Sequence, residues 1–286
     1  MPNYKVIDGH VHFLPWEMFK PDSLDVVKNS IKEAGYPLPT PSDGGKLIEM
    51  LDQANVEKAF IISYVSPEVM GLTEKVNEFV SSLCAQHSDR LLAFCSPNVR
   101  DTVEEVGVAM DRLIRVLGVR GIKIHPCHQL VYPNEYKTGG LEVLKVIYEK
   151  AQEAKIPVMF HTGTSIFPRA LNRFGDPIYI DDVAVDFPDL KILLAHGGRP
   201  IWMDTAFFLV RRHKNVYLDI SSIPPKALLQ YFPRVESIAD KTMFGSDWPS
   251  PGVPSIRANV EAIANLPLSE EAKRKILRET ALRVVS

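Results

Sequence analysis

The chain has 286 residues, of which 45% are hydrophobic, and its 33 Lys and Arg against 35 Asp and Glu give a formal net charge of −2. This length suits one α/β barrel, and the absence of a long basic run argues against nucleic acid as a partner. No apolar run approaches the roughly 20 residues of a membrane helix, and no leader pattern precedes the first strand, so we expect a cytoplasmic protein without a membrane partner.

Short apolar runs alternate with segments of helical periodicity along the chain. The runs predict eight strands, at residues 6–12, 57–65, 91–97, 119–125, 157–163, 191–197, 215–221 and 241–247. The periodic segments predict helices at 22–34, 44–55, 72–87, 102–117, 139–154, 179–186, 202–213, 255–266 and 269–285, with a broken helical region at 225–239. The long stretch at 13–42 is placed to cover the opening of a site.

Eight buried strands, each followed by a helix, are typical of parallel strands in a barrel. We therefore predict an α/β fold of the (β/α)8 TIM-barrel type, with residues 1–286 forming a single domain. A doubly wound open sheet is the alternative. Its usual nucleotide signal is a glycine-rich loop after the first strand, and here Gly9-His10-Val11-His12 occupies that position. This favours the barrel.

Polar side chains gather at the predicted carboxyl ends of the strands, where barrels place their active sites. They are His10, His12, Lys123, His125, His161, His196 and Asp247. Side chains alternate across a strand, so His10 and His12 project to the same face and offer two imidazoles to one point. Each residue alone has a structural explanation, such as a core histidine bonded to the backbone or a strand-end cap. Five of the eight histidines in one set nevertheless indicate a metal site.

Four short motifs occur in order along these strand ends. They are Asp8-Gly9-His10-Val11-His12, Gly121-Ile122-Lys123-Ile124-His125-Pro126, Ala195-His196-Gly197-Gly198 and Gly245-Ser246-Asp247-Trp248-Pro249. Together they resemble the amidohydrolase superfamily, over essentially the whole chain, and specifically its amidohydrolase-related branch. That branch contains metal-dependent hydrolases, lactonases and decarboxylases of the aminocarboxymuconate semialdehyde type.

The resemblance implies one divalent metal, most often zinc, with water in the open position. Its implied ligands are His10, His12, His161 and Asp247. Histidine and carboxylate ligands also accept manganese, iron and cobalt. His196 is then an acid, a base or an electrostatic anchor beside the metal. Other branches hold two metals bridged by a carboxylated lysine, and Lys123 is on the right strand for that role, or unmodified it binds a substrate carboxylate.

Two enzymatic functions follow, with Asp247 and His196 as the catalytic residues. The first is hydrolysis of a small lactone, ester or amide by a metal-activated water, and the alternative is decarboxylation of an unsaturated or aromatic acid. A third possibility is a barrel that binds metal or ligand without catalysis. The expected substrate-binding residues are Lys123, His125, Arg199 and Trp248. The expected partner is a small molecule, and pairing of surface helices makes a homodimer possible.

Cysteine chemistry contributes little to these expectations. Cys84, Cys95 and Cys127 are widely spaced and form no C-x-x-C pair. This pattern argues against both a disulfide framework and a thiolate zinc site.

Overall fold

The structure is a computed structural model that describes residues 1–33, 44–250, 252–253 and 255–286. Part of the stretch expected to cover the site, residues 34–42, lies outside the described residues. The part that is described contains a helix, Pro21–Glu33, close to the predicted one.

Eight parallel strands follow one another in a single sheet, in the order of the sequence. They are β1 (Val6–Val11), β2 (Val56–Ile62), β3 (Leu91–Cys95), β4 (Gly121–Ile124), β5 (Val158–His161), β6 (Ile192–Ala195), β7 (Val216–Asp219) and β8 (Thr242–Met243). The last strand region returns to the first, because Gly9 N–H donates to the Phe244 carbonyl at 2.9 Å and His12 N–H to the Trp248 carbonyl at 2.8 Å. The predicted TIM barrel is confirmed.

Helices surround the sheet. They are α1 (Pro21–Glu33), α2 (Gly44–Gln53), α3 (Lys75–Gln86), α4 (Val103–Arg115), α5 (Pro126–Gln129), α6 (Val143–Glu153), α7 (Ile180–Asp186), α8 (Met203–Arg212), α9 (Leu228–Tyr231), α10 (Ile256–Ala264), α11 (Glu270–Arg274) and α12 (Thr280–Val285). The single turn α5 was not predicted. Within the described ranges, no helix has the length and apolarity that crossing a membrane requires.

Local sequence explains where the helices begin. Thr102 caps α4 by accepting a hydrogen bond from the Glu105 N–H, and Glu105 in turn accepts from the Thr102 N–H, so two backbone donors are satisfied. Ser255 and Ser269 accept equivalent bonds at the starts of α10 and α11. These caps are the first residues of the three predicted helices, so each helix begins one residue later than predicted.

Several strands are shorter at their carboxyl ends than predicted. β6 ends at Ala195 because His196 and Gly197 adopt left-handed backbone, with φ of 67° and 56°. β8 ends at Met243 because the Phe244 N–H donates to the Ile276 carbonyl instead of to a neighbouring strand. The chain thus leaves the sheet at the points where His196 and Asp247 must turn toward the site.

A compact apolar cluster fills the interior of the barrel below the strand ends. Phe60 and Phe94 stack within it, with ring centroids 4.9 Å apart and planes 12° apart. Gly121 makes room for this pair, since a Cβ at that position would lie 2.2 Å from Phe94 Cε1. The interior is therefore a packed core that supports the site above it.

Replacing Phe94 with Ala is expected to lower the free energy of unfolding by about 3–5 kcal/mol, because it empties a site that is fully buried. Urea denaturation of the purified protein measures the change. Phe208→Ala is the matched control, since the Phe208 side chain is 51% exposed. Equal losses from the two substitutions would contradict this account of the core.

Candidate metal centre and active-site cavity

A cavity of about 470 Å³ opens at the carboxyl ends of the strands. Eight of the nine predicted site residues line it, namely His12, Lys123, His125, His161, His196, Arg199, Asp247 and Trp248. His10 is fully buried, and its ring lies about 5 Å from those of His12 and His196. Trp16, Phe13 and Phe167 supply apolar walls. The structure therefore brings the whole predicted set together.

Three imidazoles are held in one tautomer by acceptors on the protein. His10 Nδ1 is 2.6 Å from Asp219 Oδ2, His12 Nδ1 is 3.0 Å from the Ile62 carbonyl, and His196 Nδ1 is 3.0 Å from the Ser221 carbonyl. A neutral imidazole carries one N–H. When that proton is on Nδ1 and donated to oxygen, Nε2 carries an unprotonated lone pair. Burial also holds the pKa of His10 and His196 well below the ordinary value, which keeps their rings neutral.

The Asp247 carboxylate faces two of these lone pairs. Its Oδ1 lies 3.4 Å from His10 Nε2 and 3.3 Å from His12 Nε2. Burial by itself raises the pKa of Asp247, but its electrostatic surroundings hold it well below its usual value, so the carboxyl group is ionised. Two nitrogen lone pairs and an anionic oxygen converge without a proton between them, and a bound cation satisfies all three.

His10, His196 and Asp247 form a candidate site for a divalent metal. Their ligand atoms all lie within 4.8 Å of one another, and all three residues are buried. His161 is adjacent, with its ring centroid 4.7 Å from that of His196. Its buried Nε2 lacks a hydrogen-bond partner among the described residues, as expected of a ligand atom. The donor set therefore fits a divalent metal.

This grouping differs from the ligand set that the sequence resemblance implies. It contains His196, which the resemblance places beside the metal, and it lacks His12 and His161. The contact of His12 with Asp247 and the unpartnered His161 Nε2 nevertheless keep both close to the centre. The division between ligands and neighbours stays a prediction.

Lys123 lies at the floor of the cavity and is 1% exposed. Its Nζ is 3.4 Å from His10 Nε2 and 3.7 Å from Met159 Sδ. Burial lowers its pKa to about 8. The amine is thus available either to a ligand oxygen or to carboxylation, as the sequence left open.

Of the three arginines that follow the fifth and sixth strands, Arg199 lines the cavity. It donates to the Ser222 hydroxyl at 2.5 Å, and its buried Nε has no partner in the part of the chain that the structure describes. Arg169 instead pairs with Asp22 of α1 through bonds of 2.8 and 2.6 Å. Arg173 packs over the Phe174 ring, 4.8 Å from its centroid. Arg199 is therefore the candidate to bind a substrate anion.

Comparison with models of protein families shows the family to which this chain belongs. The family model described as amidohydrolase matches residues 7–286. The chain belongs to the amidohydrolase family. The match confirms the resemblance that the strand-end motifs indicate. A search of curated proteins found no match.

Solved structures share the fold of this amidohydrolase. An uncharacterized TIM-barrel protein from Bordetella bronchiseptica is 23% identical, with a TM-score of 0.77 and 98% of each chain covered. A probable 2-pyrone-4,6-dicarboxylic acid hydrolase from Acinetobacter baumannii, with citric acid bound, is 15% identical, with a TM-score of 0.67 over 98% of this chain and 99% of that chain. A dihydroxybenzoic acid decarboxylase from Polaromonas, with manganese and the inhibitor 2-nitroresorcinol, is 16% identical, with a TM-score of 0.67 over 99% and 97%.

Sequence reasoning missed two residues that orient the centre of this amidohydrolase. Asp219, at the end of β7, accepts from His10 Nδ1 and from the Ser221 N–H and hydroxyl, and burial raises its pKa to about 6. The Ser221 hydroxyl oxygen lies 3.1 Å from His10 Nδ1 and 3.0 Å from His196 Nδ1. A charged residue inside the apolar run 215–221 was the available signal.

A stack of three imidazole rings and a hydrogen-bonded chain lie beside the centre, and the two share His128. His125 lies between His161 and His128, with ring centroids 3.8 Å and 3.5 Å away. His128 in turn bonds to Tyr64 and to Ser165. The sequence pattern does not single out His128, because this residue lies in the short turn α5, which was not predicted.

Proposed function

We propose that this amidohydrolase is a metal-dependent hydrolase that adds water to a small carbonyl substrate such as a lactone, ester or amide. The observation that carries the proposal is the convergence of the Asp247 carboxylate with the His10 and His12 lone pairs, 3.3–3.4 Å apart. Such an arrangement suits a bound cation with a carboxylate base beside it.

We assign His10, His12, His161 and Asp247 as the residues that hold the metal, with zinc as the preferred ion. The unpartnered His161 Nε2 supports its inclusion. A bound divalent ion supplies an acidified water and polarises a carbonyl oxygen. Asp219 fixes the orientation of the His10 ring through its 2.6 Å contact.

Side chains of the protein carry out proton transfer, stabilise the oxyanion and bind the substrate. Asp247 is anionic and accepts the proton of the attacking water, then passes it to the leaving group. His196 keeps its Nε2 toward the site because Nδ1–H is bonded to the Ser221 carbonyl. We assign it to the developing oxyanion in its imidazolium form, in which Nε2 has accepted a proton from Asp247 and donates it as a hydrogen bond. Arg199 binds a substrate carboxylate, and Lys123 and His125, which also line the cavity, are further nitrogen donors.

Decarboxylation of a small aromatic or unsaturated acid is the second candidate. Trp16, Phe167 and Trp248 give the cavity apolar walls that suit a flat ring. The solved neighbours include both a hydrolase and a decarboxylase, although their low identity supports only the shared fold. In this reaction Asp247 delivers a proton to the ring carbon that loses CO₂.

Metal analysis combined with product analysis tests the proposal. The purified protein is expected to contain about one divalent ion per chain. It is then assayed with 2-pyrone-4,6-dicarboxylate, simple lactones and dihydroxybenzoates. Acid release without CO₂ supports hydrolysis, CO₂ release without uptake of water supports the alternative, and a chain that binds no divalent metal contradicts both.

Asp219→Asn is expected to weaken metal affinity about 10- to 100-fold, because the amide no longer fixes the His10 tautomer as a carboxylate does. Competition with a chelator measures the affinity. Asp189→Asn, at an exposed position, is the matched control. Equal affinity in the two variants would show that Asp219 has no role at the metal.

A further inference from the structure

A chain of three hydrogen-bonded side chains lies in the cavity wall beyond the candidate metal centre. The Tyr64 hydroxyl is 2.8 Å from His128 Nδ1, and His128 Nε2 is 2.7 Å from the Ser165 hydroxyl oxygen. All three residues line the cavity. Tyr64 and His128 are 4% and 1% exposed, whereas Ser165 is half-buried. The chain therefore begins in the interior and ends on the more open side.

A neutral imidazole carries one N–H, so this chain has two possible directions. In the first, Tyr64 donates to His128 Nδ1 and the His128 Nε2–H donates to Ser165. In the second, Ser165 donates to Nε2, the Nδ1–H donates to Tyr64, and the Tyr64 proton must find another acceptor. Burial lowers the pKa of His128 and raises that of Tyr64, so both groups stay neutral at pH 7.

The surroundings of Ser165 favour the first direction. Its hydroxyl oxygen also accepts the Phe167 N–H at 3.3 Å, so two donors occupy its two lone pairs in that direction. The Ser165 proton is then left to face the cavity. The second direction would strand the proton of the far more buried Tyr64 hydroxyl, and an unpaired donor costs more when it is buried.

We propose that Ser165, oriented by Tyr64 and His128, is a specificity-determining donor that selects substrates with a hydrogen-bond acceptor distant from the reacting carbonyl. The His128 ring centroid lies 6.3 Å from that of His161, with the His125 ring stacked between them. The acceptor, a keto, ring or carboxylate oxygen, therefore lies beside His128, which the His125 ring separates from His161. The position of the reacting carbonyl rests on the proposed function.

The tautomer of His128 gives the first test. In the protein labelled with ¹⁵N-histidine and supplied with zinc, NMR is expected to show His128 protonated at Nε2 and unprotonated at Nδ1. Tyr64→Phe removes the hydroxyl that selects this state, so both tautomers are expected in that variant. A His128 protonated at Nδ1 in the wild type would overturn the assigned direction.

A matched pair of probes gives the second test. 3-Acetylbenzoate and 3-isopropylbenzoate have similar shapes, but only the first carries a ketone oxygen. Quenching of Trp16 and Trp248 fluorescence in the cavity reports their binding. The wild type is expected to bind the acetyl compound about tenfold more tightly, the usual effect of one hydrogen bond.

Ser165→Ala is expected to abolish this preference, and Ser165→Thr, which retains a hydroxyl, is expected to keep most of it. Equal binding of the two probes by the wild type, binding of neither, or a preference that survives in Ser165→Ala would overturn the inference. Neither measurement depends on turnover. A protein that binds no divalent metal would contradict the proposed function. The His128 tautomer and the ratio of the two probe affinities would still test the role of Ser165.

Discussion

Replacing Asp247 with Asn is expected to lower the turnover number by about 10²–10⁴-fold, the usual contribution of a positioned acid–base group. The amide cannot accept a proton from water, and it lacks the charge that faces the His10 and His12 lone pairs. The measurement is steady-state kinetics with the panel substrate that the wild type converts. Metal content is determined in parallel, because Asp247 is also an assigned ligand.

Asp111→Asn provides the control for this substitution. Asp111 is a partly exposed carboxylate on α4 that pairs with Lys150, and it does not line the cavity. A fall in turnover of the same size in both variants would remove Asp247 from its assigned role. Full activity of Asp247→Asn would favour a barrel that binds ligand without using this carboxylate.

His161→Ala is expected to remove most of the bound metal, whereas His196→Ala is expected to keep the metal and lose turnover. The reason is that His161 Nε2 is buried without a partner in the described segments, while we assign His196 to the developing oxyanion. Elemental analysis of the two purified variants, alongside circular dichroism to establish folding, gives the comparison.

The opposite result has an equally clear meaning. His196 lies in the close group with His10 and Asp247. If His196→Ala loses the metal and His161→Ala retains it, that group is the ligand set and the assignment from the resemblance is wrong. Equal metal content in the two variants would also contradict the division.

Much of the barrel could be predicted because its periodicity is local. Runs such as residues 157–163 and 191–197 have an apolar pattern of their own. The capping of α4 depends only on Thr102 and Glu105, which are three residues apart. The strand ends were less predictable. The left-handed backbone of His196 and the bond from Phe244 N–H to the Ile276 carbonyl depend on contacts made after the chain has folded.

The site shows the same contrast. His10 and His12 were predictable because strand geometry alone places them on one face, and the family motifs supplied their partners. Asp219 and Ser165 were missed because their roles consist of contacts with His10 and His128, more than 35 residues away in each case. A single sequence does not display such pairings. The charge of Asp219 inside an apolar run marks the residue as unusual but does not name His10 as its partner, and the local pattern around Ser165 is that of a loop.

The ion pair between Asp22 and Arg169 affects how easily small molecules reach the cavity. Val27 and Ile31 of α1 line the cavity, as do Ile166 and Phe167, which follow β5, so this ion pair links two of the segments that form the cavity. Both partners are more than one-third exposed, and dissolved salt weakens the attraction between exposed charges. A rise in ionic strength is therefore expected to loosen the contact between these two segments. The buried charges of the metal candidates are screened much less by the same salt.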